Sequence, residues 1–131
     1  MSEVFTTHGA VSWTELMTTD KARAESFYRD LLGWTLEDSG MPGMDYTLIK
    51  VNGAAIGGIM AITPDMAGMP THWRSFVTVD NVDARAETAV QAGGTVIHPP
   101  MDIPNVGRFA IIQDPTGGVL SLITYAAPSN G

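Results

Sequence analysis

Two segments of this sequence can be laid over each other at an offset of 60 residues, and that duplication limits the fold more than any other feature. Trp13-Thr14-Glu15-Leu16-Met17-Thr18-Thr19-Asp20 and Trp73-Arg74-Ser75-Phe76-Val77-Thr78-Val79-Asp80 each open on Trp, run through β-prone residues and close on Asp. A helical pattern ended by glycine follows each Asp. A period of this length is too long for a solenoid repeat and suits a doubled supersecondary unit.

Capping and periodicity place the helices. Asp20 can accept hydrogen bonds from the open first turn of a helix over 21–32, and Gly33 supplies the left-handed stop. Ala24, Phe27, Tyr28, Leu31 and Leu32 form its apolar stripe. A second helix over about 82–92 repeats the plan, with Asp80 or Asn81 as cap, Val82, Ala86, Ala89 and Val90 as stripe, and Gly93-Gly94 as stop.

Strand patterns fill the remainder: 34–37, 46–51 and 54–60 in the first half, and 95–98, 108–113 and 119–124 in the second. Asn52-Gly53 predicts a hairpin, and Asp114-Pro115-Thr116-Gly117 a turn. Pro99 to Pro104 reads as irregular chain and a pocket rim, and the tail from Ala126 onward as frayed. The expected fold is α+β: two tandem βαβββ modules forming curved mixed sheets around a concave pocket, within one domain of 131 residues. Module one covers about 8–62, a linker about 63–70, and module two about 71–125.

Composition narrows the function. Seven basic residues scattered among 14 acidic ones give a net charge of −7, which repels phosphate backbones and argues against nucleic acid. No apolar run approaches the roughly 20 residues of a membrane span. The Met1–Phe5 start lacks the charged and apolar regions of a signal peptide, so a cytoplasmic protein is expected. Without cysteine there is no disulfide, thiolate metal site or thiol nucleophile.

Strand alternation nominates the site. Val11, Trp13, Glu15 and Met17 share one face and Leu16 the other; at the same offset Trp73, Ser75, Val77 and Val79 match the first set, with Phe76 toward the helix. Glu15 is the anomaly, because a carboxylate on an apolar face costs several kcal/mol unless paired, coordinated or protonated. It is a candidate metal ligand, general base or ligand acceptor, or a partner of Arg108. Trp13 and Trp73 could stack a planar ligand or fill core volume. Arg108 could meet an anionic ligand, Glu15, or only a surface acid. Tyr46, Met44, Met60, Met66, Met69 and Met101 could form a soft pocket lining.

Taken together, these segments resemble the vicinal oxygen chelate superfamily, which contains glyoxalase I, bleomycin-resistance proteins and extradiol dioxygenases. The resemblance rests on Trp13–Asp20, Phe27-Tyr28-Arg29-Asp30-Leu31-Leu32-Gly33-Trp34, Trp73–Asp83, Gly93-Gly94, Pro99-Pro100, Gly107-Arg108 and Asp114-Pro115-Thr116-Gly117-Gly118. More narrowly, the chain is similar to a glyoxalase-like subgroup that carries a hydroxylase label. The resemblance implies paired βαβββ modules, usually in a homodimer. It also implies one metal ligand on the first and one on the last strand of each module. Those positions fall on Glu15, Gly57, Ser75 and Ser121, of which only Glu15 is a strong ligand. His8, His72 and His98 have no metal-ligand spacing among themselves.

The expected function is therefore binding of a small apolar or aromatic metabolite, an antibiotic among the candidates, with no cofactor and no metal. Trp13, Trp73, Ser75, Ser121, Tyr46 and Met101 would contact the ligand. The rival expectation is a metal-independent isomerase, lyase or cyclase in which Glu15 is the base and Arg108 or Ser121 steadies charge. A third is a metal-dependent glyoxalase- or dioxygenase-like enzyme whose ligands a register slip has hidden.

Overall fold

The computed structural model describes residues 3–41, 43, 45–64 and 68–126. Met44 and Met66, the middle of the expected linker and the end of the tail lie outside the described residues. The fold is α+β and repeats β-α-β-β-β twice. β1 (Val11–Thr18), α1 (Lys21–Leu32), β2 (Thr35–Asp38), β3 (Tyr46–Val51) and β4 (Ala54–Ala61) are followed by β5 (His72–Thr78), α2 (Val82–Gln91), β6 (Thr95–Ile103), β7 (Gly107–Gln113) and β8 (Val119–Tyr125). No helix among the described residues is long and apolar enough to cross a membrane.

The chain forms two compact units, Trp13–Arg74 and Met1–Ser12 with Ser75–Gly131. In the first, the strand order is β2-β3-β4-β1, antiparallel except for the parallel β1–β4 pair. The Asp20 carboxylate caps α1 by accepting from the Arg23 amide, and Gly33 ends it at φ 68°. Leu16, Ile49 and Ile59 form the core under this helix, with Ala24, Tyr28, Trp34 and Leu36 packed on them. Lys21 ties the helix start to β3, donating to Thr47 (2.6 Å) and pairing with Glu25 (2.8 Å). Asn52 and Gly53 both have positive φ, as the predicted hairpin requires.

The second unit has the order β5-β8-β7-β6, with β5 and β8 parallel. Asn81, not Asp80, caps α2, accepting from the Ala84 amide. Val79, Val82, Ala110, Ile112 and Leu122 form its core. The N-terminal segment belongs here: Gly9 donates to the Thr78 carbonyl (2.7 Å), and the Thr78 amide to Ala10 (2.8 Å). Ser12 and Tyr125 share a hydroxyl bond of 2.8 Å.

The segment at Pro99–Pro104 corrects the expectation of irregular chain, since β6 runs on through both prolines to Ile103. It does so at the end of the strand order, where a missing amide donor is tolerated. The register shifts on either side of His98 absorb the misfit.

Candidate functional site

Glu15 is 6% exposed and, being adjacent to Leu16 on a strand, points away from α1. Its register partner across β1–β4 is Gly58. The ring of Tyr46 lies over that glycine, in the space a Cβ on residue 58 would need, and so brings its phenol to the carboxylate. Trp13 Nε1 donates to the Tyr46 hydroxyl at 2.9 Å. An indole N–H only donates, so Tyr46 accepts from Trp13 and keeps its own proton for the hydrogen bond it makes to Glu15. From the first residues of β5, Arg74 brings Nη2 to 3.4 Å from Glu15 Oε2, the carboxylate buried and the arginine side chain 11% exposed.

These neighbours pull against one another. Burial pushes the Glu15 carboxyl up, while Tyr46 and Arg74, and more weakly His72, pull it down; the net effect is upward. A carboxyl in that condition can donate or accept a hydrogen bond, or take a proton more readily than an exposed glutamate does. Around it the same face carries Met17, Met60 and Leu48, in register with Glu15, Gly58 and Tyr46.

In the second unit the corresponding face differs in its chemistry. Phe76 pairs with Ser121, Ser121 with Ile111, and Ile111 with His98; beside this row run Ile123, Phe109 and Met101. His98 stacks on Phe109 at 5.2 Å between ring centroids. Ser121 is fully buried, and its hydroxyl has no hydrogen-bond partner among the described residues.

The face assignment of this half is a correction. Val77 and Val79 pack with α2, so Phe76 and Ser121 look the opposite way and Ser75 alternates to the α2 side. The helix caps Asp20 and Asn81 stand 61 apart, one more than the two Trp residues, and a one-residue slip reverses every side chain of a strand. The counterpart of Glu15 is thus Phe76, and that of Gly58 is Ser121. Gly57 also fails, because its missing side chain would lie against the Thr14 backbone and toward Ile49, on the α1 side.

Two further expectations change. Trp73 does not match Trp13: it donates to the Tyr28 hydroxyl (3.1 Å) and sits edge-on to Tyr28 and Trp34, on the α1 side of the sheet. Arg108 binds Asp83 through Nε and Nη2 (2.8 and 3.1 Å) and Asp102 through Nη1 (3.0 Å). Those acids hold its guanidinium, and the arginine at Glu15 is Arg74. Met101 is half exposed at the outer strand. The histidines are placed apart in their roles: His8 accepts from the Asp80 amide, His72 bonds the Pro70 carbonyl, and His98 the Pro99 carbonyl.

Arg74 and Gly58 are the site residues that sequence reasoning missed. For Arg74 the signal was the cap-to-cap spacing, which sets the correspondence of β1 and β5 that the Trp-to-Trp match misplaces; Gly58 is placed by the β1–β4 pairing.

Residues 10–122 match the Glyoxalase/Bleomycin resistance protein/Dioxygenase superfamily. The chain belongs to that superfamily. Among its relatives, "Putative glyoxylase CFP32" of Mycobacterium tuberculosis is 40% identical over 119 residues, covering 90% of this chain and 45% of the relative. The anthracycline biosynthesis protein DnrV of Streptomyces peucetius is 34% identical over 127 residues, 87% of this chain and 46% of its own length. The chain thus spans less than half the length of these relatives. In fold it is similar to methylmalonyl-CoA epimerase of Mycobacterium tuberculosis, with a TM-score of 0.67 at 19% identity over 91% of this chain and 89% of that one. A variant epimerase of Streptomyces coelicolor gives 0.64 at 20% identity, over 92% of this chain and all of the other.

Proposed function

We propose that this chain binds a planar, mostly apolar small molecule against the Trp13–Tyr46–Met60 face, and grips its polar edge through Glu15, Tyr46 and Arg74. The observation that carries this reading is the buried Glu15 carboxyl, held by a phenol and a guanidinium amid aromatic and thioether side chains. Such a site combines apolar contact area with a few placed polar groups, the usual make-up of a small-molecule pocket. DnrV's association with anthracycline biosynthesis points the same way, toward fused aromatic rings bearing carbonyl and hydroxyl groups.

The metal ion that the superfamily implies does not fit the residues around Glu15. Its strand partner is glycine, the counterparts in the second unit are Phe76 and Ser121, and a guanidinium lies against the carboxylate. Among the described residues no three His, Cys, Asp or Glu side chains come together. A divalent site generally needs three or four such donors.

The test uses a hydroxyanthraquinone probe, followed by quenching of tryptophan emission. Micromolar binding is expected, weakened about tenfold or more by Glu15→Gln and by Tyr46→Phe, the loss of a charge-assisted hydrogen bond in a dry site. Affinity unchanged in both variants would overturn the reading.

The raised pKa of Glu15 favours a second reading, proton transfer on the bound molecule. The Glu15 carboxylate would take a proton from an acidic C–H of the ligand, becoming the neutral acid, while Arg74 steadies the resulting anion. Return of the proton to another carbon completes an isomerisation. Glu15→Gln should then abolish exchange of that hydrogen with deuterium from solvent while binding persists; exchange that continues in the variant removes Glu15 from the chemistry.

A further inference from the structure

The first unit carries an open groove of about 420 Å³ on the α1 side of its sheet, the side opposite Glu15. Leu16, Thr18 and Ala24 line its depth, and Phe27, Tyr28 and Trp73 its walls. Tyr28 stands edge-on to both neighbours, with ring centroids 5.1 Å from Phe27 and 5.4 Å from Trp73. Phe27 and Trp73 remain 58% and 38% exposed, so the groove offers open aromatic surface to the ring of a ligand. Its volume falls within the range of about 300–1,000 Å³ of small-molecule pockets.

Polar groups with unspent bonding capacity line the same groove. An indole N–H only donates, so the Tyr28 hydroxyl accepts from Trp73 at 3.1 Å, and its own proton has no acceptor among the described residues. The Thr18 hydroxyl is 4% exposed and accepts from the Asp20 amide at 3.1 Å; its proton likewise finds no acceptor among the described residues. Asp20 and Arg23 complete the lining. One Asp20 oxygen caps α1 through the Arg23 amide, which leaves the other over. Both side chains are exposed, and neither joins an ion pair among the described residues. Three positions apart at the start of α1 they are neighbours, and a ligand carrying both charges can bridge them.

We propose that this groove is a binding site for an aromatic α-amino acid. The ring lies against Phe27 and Trp73. The carboxylate meets Arg23 and the unspent hydroxyl protons, and the ammonium group meets the second Asp20 oxygen. Charge complementarity selects the zwitterion, because an aryl carboxylate leaves Asp20 beside an anion and an aryl amine leaves Arg23 beside a cation. The site is independent of what Glu15 binds.

Titration of the whole chain with L-phenylalanine, read from the Trp73 indole and α1 amide signals by proton–nitrogen NMR, tests the assignment. Saturation is expected at about 1 mM or below, the range open to a ligand of this size in an exposed groove. The Trp13 indole signal, on the Glu15 side, should stay in place. Phenylpropanoate and phenethylamine each lack one of the two charges and should bind about fivefold or more weakly. Asp20→Asn keeps a good helix cap and should erase the preference for phenylalanine over phenylpropanoate. Arg23→Gln should erase the preference over phenethylamine, and Glu15→Gln should change neither. Any of four results would overturn the proposal: no saturation, either single-charge probe binding as tightly as phenylalanine, preferences that persist in the two variants, or an affinity that falls with protein concentration because a second copy covers the groove.

Discussion

The ring of Tyr46 occupies the volume that any side chain on Gly58 would need, and Gly58 is the residue directly beside Glu15 in the sheet. Glycine at 58 is therefore what lets a phenol, and not a strand neighbour, close over the buried carboxyl. Gly58→Ala should displace the ring and break the Trp13–Tyr46–Glu15 chain. The expected cost is about 2–4 kcal/mol, the size of an overpacked core position with a lost buried hydrogen bond. Urea unfolding measures it; a loss within error would show that the ring can move aside freely.

Tyr46→Phe keeps the ring and removes only the hydroxyl. Trp13 Nε1 then loses its acceptor and Glu15 a donor, for an expected loss of about 1–3 kcal/mol. The Glu15 carboxyl should also titrate at higher pH than before, because one of the groups stabilising its ionised form is gone. Carbon-13 NMR of the labelled glutamate carboxyl reads that shift directly.

The pH dependence of stability follows from the same group. Folding raises the Glu15 pKa above its ordinary 4.5, so the folded state holds this proton more tightly than the unfolded one. Its favourable contribution is complete below about 4.5 and is lost as pH climbs through the raised value. Glu15→Gln cannot ionise and escapes that loss. The variant's melting temperature should gain on that of the unaltered chain as pH rises from 4.5 toward neutrality. A constant difference across that range would mean that the carboxyl is not shifted.

Arg74, which lies at Glu15, and Arg108, first considered for the site, should behave differently. Arg74→Met leaves a buried carboxylate without its countercharge, and above the Glu15 pKa should cost about 3 kcal/mol or more. Arg108→Ala removes exposed pairs with Asp83 and Asp102, and should leave stability and probe affinity nearly unchanged. Parallel denaturation and quenching curves compare them.

Local rules in the sequence reached most of the fold. Asp20, Gly33 and Asn52-Gly53 each impose a backbone state on their own, so α1, its stop and the first hairpin were legible without tertiary information. Glu15 was legible too, since a carboxylate among Val11, Trp13 and Met17 is anomalous wherever the strand lies. What surrounds Glu15 was not. Which residue of β4 lies beside it, and whether Trp73 or Arg74 looks toward it, depend on a register of one residue that hydrophobic alternation cannot fix when both faces of the strand are buried. The matching Trp residues suggested the wrong register. The helix caps, which stand 61 residues apart, carried the right one.

As part of a polar recognition centre and not of a metal site, Glu15 should hold no divalent ion. Calorimetric titration of the metal-stripped, untagged chain with Zn²⁺, Ni²⁺ and Mn²⁺ tests it most directly. The expected result is no saturable binding at Glu15, with unaltered and Glu15→Gln proteins giving the same heats. Stoichiometric binding of any of the three ions that disappears in Glu15→Gln would contradict the account.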